Sequence, residues 1–259
     1  MHLRLGTLAL APAMLACATL QVEPAEAPSA QFAAPVSFVG AYDSRVQSGM
    51  VDTKRIETQY NYVATPGGGG MVYPSTTVVR TGEVEPNLMI RGVAEGFVSV
   101  SPGNVVRDLS GETPLDARGE MGLDWLARNR STERFLVGVE VKDAHINLDA
   151  ARSNFTLGMT ATVFGLLSPL LLCTTAPCLL YLPFARTNAD GSASATVRVY
   201  DRERGSVVHS VTVTEQVSTS TPGFHDAESV YTLLAAELAR RLGQKAAAAA
   251  SVATQRPPS

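Results

Sequence analysis

The chain has 259 residues, ordinary apolar content and a formal net charge of only −3. It carries no basic stripe, which excludes an electrostatic nucleic-acid binder, and enough apolar residues to exclude a disordered polymer. With about 210 residues left after a leader and a tether, one sizeable domain or two small ones can form.

The amino terminus begins with a positive charge at Arg4, followed by the apolar run LGTLALAPAML and then Ala16-Cys17. An apolar run of this length, ending in small residues, is a secretion signal and is too short to span a bilayer permanently. Met14-Leu15-Ala16-Cys17 resembles the lipobox of bacterial lipoproteins, in which the cysteine is acylated and becomes the new terminus. This gives a signal peptide at 1–16 and lipid attachment at Cys17. Simple cleavage after Ala16-Cys17-Ala18, a later site after Ala25-Glu26-Ala27 and an uncleaved anchor are the alternatives. Ala18, rather than an aspartate, follows Cys17, a pattern similar to that of lipoproteins sorted to the outer membrane.

Residues 17–35 are rich in Ala, Pro and Glu without amphipathic period, and read as a tether. A domain is expected over 36–245, starting with a strand at VSFVGAYD (36–43). Ile56, Thr58, Tyr60 and Tyr62 alternate with polar residues, the half-buried strand pattern. PGGGG (66–70) breaks the chain before a second β-prone run, MVYPSTTVV, so a hairpin is predicted. The glycine run has no lysine and helix start after it, so it is a loop and not a phosphate cradle.

Asn87–Val98 is a short helix candidate weakened by Gly92 and Gly96. A better one covers 116–130, with Ala117, Met121 and Trp125 on one face. In FLVGVEV the apolar set is Phe135, Val137, Val139 and Val141; it then switches phase to Ala144, Ile146 and Leu148. A bulge or bend near Lys142-Asp143 would produce that switch.

Residues 153–185 contain no charge, and nine leucines fall among them. Exposing nine leucines would cost on the order of 15–25 kcal/mol, more than a domain's stability. Ser168-Pro169, Pro177 and Pro183 divide the stretch into pieces too short to span a bilayer singly. An apolar helical hairpin insertion is therefore expected, with Phe164, Leu166, Leu167, Leu170, Leu171, Leu172, Leu179, Leu180 and Leu182 as its contact residues. It is buried in its own domain, in contact with membrane or a partner, or a transmembrane helix. Cys173 and Cys178 lie within it. An even cysteine pair in an oxidising compartment reads first as a disulfide, whose closure would contribute about 2 kcal/mol. Redox or metal chemistry, or two buried thiols, are the other readings.

Residues 193–213 have the alternation of a hairpin turning at DRERG, with Val207, Val211 and Val213 on its second arm. Asp226–Leu242 is an amphipathic helix with Asp226 as its cap and a stripe of Val230, Leu234, Leu238 and Leu242. Arg240 and Arg241 are placed at its negative end and Gly243 at its stop. AAAAA extends the helix or begins a disordered tail, 246–259.

No nucleophile elbow, zincin helix, Walker loop or paired zinc spacing occurs. The one polar constellation is Asp143, His145, Asn147 and Asp149, which strand spacing puts on one face. An imidazole beside carboxylates can bind a cation or move protons, and a strand end leaving the core has the same pattern. His209 reads as a partly buried strand histidine and His225 as part of the approach to the last helix. No cofactor is called for.

The stretches GLDWLARNRSTERFLVGVEV, ATVRVYDRERGSVVHSVTV and ESVYTLLAAELARRLG resemble, in pattern, the periplasmic α/β domain of curli-secretion-type lipoproteins. The most specific piece is Asp201 followed by Gly205-Ser206-Val207-Val208. The resemblance implies a non-enzymatic envelope protein that assembles or supports a larger machine. Pore formation does not carry over, since residues 153–185 are apolar on every face and cannot line water.

The expectation is thus an α+β fold: a mixed, mostly antiparallel sheet with helices packed on it and the apolar insertion at 153–185. Its function is binding, at the periplasmic face of the outer membrane, or free in the periplasm if Cys17 is not acylated. The partners are membrane lipid through Cys17 and an envelope protein through 153–185. The rivals are a protein that binds lipid or a small apolar ligand, and an envelope enzyme using the Asp143/His145 face.

Overall fold

A computed structural model describes residues 19–46 (without Ala27), 49, 51–64, 70–100, 107–108, 133–148, 186–222 and 225–255. Cys17, Cys173, Cys178, the whole of 153–185, the helix expected at 116–130 and Asp149 lie outside the described residues.

The strands are β1 (Val36–Asp43), β2 (Lys54–Ala64), β3 (Gly70–Arg80), β4 (Arg107–Asp108), β5 (Phe135–Asn147), β6 (Arg186–Asp201) and β7 (Ser206–Pro222). The helices are α1 (Pro86–Ser99) and α2 (Ala227–Gln255). Five strands form one sheet in the order β4-β1-β5-β6-β7, while β2 and β3 form a separate two-stranded ribbon. The fold is α+β as expected, but the sheet is more evenly mixed: β1 lies parallel to both β4 and β5, and β5-β6-β7 is antiparallel. Among the described residues no helix is long and apolar enough to cross a membrane.

Alternation in β5 sets the core. Phe135, Val137, Val139 and Val141 point into it, the register slips between Val141 and Asp143, and Ala144, Ile146 and Leu148 then take their place. One extra residue at Lys142 thus keeps both apolar sets on the buried side. Phe38 from β1 stacks on Phe97 of α1, with ring centroids 4.3 Å apart. Leu234, Leu238 and Leu242 of α2 fill the space over β5, β6 and β7.

The two helices meet backbone to backbone. A Cβ on Gly96 would lie 2.0 Å from the carbonyl oxygen of Arg240, and one on Gly243 would lie 2.1 Å from that of Val93. The glycine read as a helix stop is instead a contact, and α2 continues through it to Gln255. This also corrects the disordered tail: Ala246, Ala247 and Ala250 are fully buried, and only the last residues, 256–259, lie outside the description. Arg240 and Arg241 consequently sit inside α2, not at its end, and both pair with Glu237. Helix propensity is a local preference, and close packing against α1 overrides it here. The cap is as read: Asp226 accepts from the backbone N–H of Ser229 at 2.9 Å and from its hydroxyl at 2.6 Å, which lowers the Asp226 carboxyl below its usual range.

From residue 19 the supposed flexible tether is a strap laid along the domain. The Glu23 N–H donates to the Ser218 carbonyl at 2.8 Å, and the Gln21 N–H donates to Thr221 Oγ1 at 3.2 Å. Leu20 and Val22 pack on the core, and Ala30 and Phe32 are buried in it. Phe32 and Leu20 are apolar residues spaced too irregularly for a helix or strand pattern, yet each finds a niche on the finished surface.

Candidate functional site

The ribbon β2-β3 leaves the sheet after β1 and returns just before α1, and two arginines weld its base. Arg45, 6% exposed, uses all five of its N–H groups. Nε and Nη2 donate to the two carboxylate oxygens of Asp43 at 3.0 and 2.6 Å. Nη1 donates to Glu83 Oε2 at 3.0 Å and to the Ala144 carbonyl at 2.8 Å, and Nη2 also to the Val84 carbonyl at 3.0 Å. One side chain therefore joins the end of β1, the exit of the ribbon and β5. Residues 82–84 continue the sheet where β1 stops: the Ile146 N–H donates to the Gly82 carbonyl and the Val84 N–H to Ala144. Gly82 has a positive φ of 96°, and a Cβ there would lie 2.3 Å from the Ile146 carbonyl oxygen.

Arg80, the last residue of β3, makes the second weld. Its guanidinium lies 3.9 Å from the ring centroid of Tyr231 and donates to both oxygens of Glu228, at 2.5 and 2.6 Å, and to Glu85 at 3.1 Å. The Glu228 hydrogen bonds push the arginine's pKa up, and Arg80 in turn lowers the Glu228 carboxyl. Tyr231 is buried, and its oxygen accepts the Glu85 N–H at 2.9 Å. Burial pushes its phenol pKa up. The ribbon is therefore held at the start of α2 as well as at β5.

Above this base the ribbon presents apolar side chains to solvent. Ile56 is 72% exposed, Tyr60 73%, Val78 63% and Val72 57%. In register, Ile56 is opposite Val78, Thr58 opposite Thr76 and Tyr60 opposite Pro74, so they share one face. A two-stranded ribbon is at best marginal alone, and this one keeps its clustered apolar side chains exposed. The hairpin was legible in the sequence. That its apolar face stays uncovered was not, because alternation predicts a half-buried strand whether or not something lies on it.

Of the polar constellation, Asp143, His145 and Asn147 do share the exposed side of β5. His145 Nδ1 lies 3.6 Å from Glu83 Oε1, and Asn147 Nδ2 donates weakly to Asp190 at 3.4 Å. No group of three or more metal-ligating side chains converges among the described residues. The residues that order this region, Arg45, Asp43, Glu83 and Arg80, went unnoticed because the two arginines find most of their partners far along the chain, at Glu83, Ala144 and Glu228. Beside it, an open groove of about 640 Å³ lies between Ala41 and the Ile90, Arg91 and Ala94 side of α1. His209 is half-buried, as read.

No protein-family model matches the chain, and no curated protein matches it. Among solved structures, the chain is distantly similar to protein XCC0632 of Xanthomonas campestris, described as DUF330, with 10% identity, 92% of this chain and 95% of that one covered, and a TM-score of 0.39. It is also distantly similar to PelC of Paraburkholderia phytofirmans, solved as a dodecamer, with 12% identity, 86% and 97% coverage and a TM-score of 0.28. A single-substitution variant of that PelC dodecamer gives the same score and identity. At these values the likenesses fix neither a family nor a function.

Proposed function

We propose that this protein works by binding and not by catalysis, as an accessory or assembly factor of a cell-envelope complex. Acylation at Cys17 holds it at the periplasmic face of the outer membrane, and the ribbon β2-β3 is offered to a partner. The observation that carries this reading is the exposed apolar face of Ile56, Tyr60, Val72 and Val78 on a ribbon whose base is locked by Arg45 and Arg80. Covering four such side chains would contribute roughly 4–6 kcal/mol to an interface. A rigid base lets that energy go into affinity, since little ordering entropy is lost on docking. The uncharged stretch 153–185 is a second contact in this reading, and Cys173-Cys178 a bridge within it.

The test is a photo-crosslinking amino acid at position 60 in the native host, with the same group at the exposed turn residue Glu203 as control. A discrete adduct from position 60 that is absent from 203 is expected. Identical adducts at both positions, or none at 60, would refute the ribbon as the contact. Palmitate labelling that disappears in Cys17→Ser tests the anchor separately.

A further inference from the structure

The strap and the sheet together give the anchored protein an orientation. From Glu23, paired with Ser218, to Gln21, bonded to Thr221, the chain runs outward along the end of β7. The Thr219 hydroxyl donates to the Gln21 carbonyl at 2.5 Å and fixes it there. Cys17 is four residues beyond Gln21, so it reaches at most about 14 Å from it. The end of β5 and the start of β6 lie at the same end of the sheet. Asn147, the last residue of β5, pairs with Asp190, and Arg186, the first of β6, pairs with Pro222 beside Thr221. In the sequence between those two strand ends, residues 153–185 carry no charge. At the strand tips Thr187, Ala189, Thr219 and Thr221 are buried, and the exposed residues there, Asn188 and Ser220, are uncharged.

We infer that this pole, the tips of β6 and β7 under the strap, lies against the lipid headgroups of the bilayer leaflet that holds the acylated terminus. The inference rests on acylation at Cys17 and goes beyond it: a flexible tether would leave the domain free to tumble, whereas this strap pins one pole to the surface. The β6-β7 turn at 202–205 then faces away, since the 16 residues of β6 span about 50 Å.

The test uses the full-length acylated protein with Trp125→Phe, which removes the only tryptophan, in phosphatidylethanolamine/phosphatidylglycerol vesicles containing a nitroxide-headgroup lipid. A tryptophan is placed by Asn188→Trp at the pole or Glu203→Trp at the far turn, and Ser220→Trp replaces the first if it fails to fold. The fluorescence of the pole tryptophan is expected to be largely lost and that of the far one retained. A flexible insertion of about 12 residues after Ala18, with a reach of ~20 Å, should restore most of the lost fluorescence. Equal quenching at both positions, an unquenched pole, or quenching indifferent to the insertion overturns the orientation when intact mass shows acyl chains on Cys17. A mass without acyl chains overturns the anchor reading itself, and this inference with it.

Discussion

Arg45 grips both carboxylate oxygens of Asp43 although only one residue separates them, and the pair is buried where β1, β5 and the ribbon meet. Removing one partner of a buried pair leaves the other charge without compensation, at about 3–5 kcal/mol. Arg45→Met is therefore expected to lower the unfolding free energy measured by urea denaturation by that much, with a correspondingly lower midpoint. The double variant with Asp43→Asn should recover part of the loss. A midpoint for Arg45→Met equal to that of the parent would contradict the weld.

The contact between α1 and α2 predicts that small additions are costly. Gly96→Ala and Gly243→Ala each favour helix by about 1 kcal/mol locally, yet each new methyl would meet a carbonyl oxygen. Overpacking of this kind costs typically 1–3 kcal/mol, so both variants are expected to melt several degrees below the parent. A rise in melting temperature would show that the helices can move apart freely.

On the ribbon, stability and binding are expected to separate. Ile56→Thr with Val78→Thr keeps β-branched side chains in the strands and leaves the core untouched, so folding stability should stay within about 0.5 kcal/mol. The adduct from a crosslinker at position 60 should nevertheless disappear. Loss of folding together with binding would make this face part of the domain's own core.

Acid sensitivity follows from Glu237. Its carboxyl is held below the usual range first by hydrogen bonds from Arg240, and also from Arg241, against an opposing effect of burial. A depressed folded-state pKa contributes stability that is fully present above the unfolded value, about 4.3, and lost as pH falls through the folded one. Unfolding free energy should thus decline below about pH 4, and Glu237→Gln should flatten that decline. An unchanged slope would place the acid-sensitive groups elsewhere.

Ending the chain after Lys245 distinguishes a tail from a core element. Three fully buried alanines would be removed, with the bond from the Ala33 N–H to Thr254 Oγ1 and that from Gln255 Nε2 to the Gln31 carbonyl. Lost burial alone amounts to about 2 kcal/mol, so a lower denaturation midpoint is expected, and an unaltered one would restore the reading of a dispensable tail.

Periodicity along the chain determined β1, the ribbon, β5 with its bulge, the β6-β7 hairpin and the capped start of α2, because each rests on neighbours within a few residues. The phase switch at Lys142 was readable for the same reason: a period of two has only one way to change faces. Packing alone decided that Gly243 is a contact and not a terminator, that Leu20, Phe32 and Ala250 belong to the body, and that β1 runs parallel to β5. The hydrogen bonds of Arg45 and Arg80 join positions up to 148 apart, and nothing in local sequence marks those pairings. Charges and small residues acquire their roles from partners that only the folded chain brings within reach.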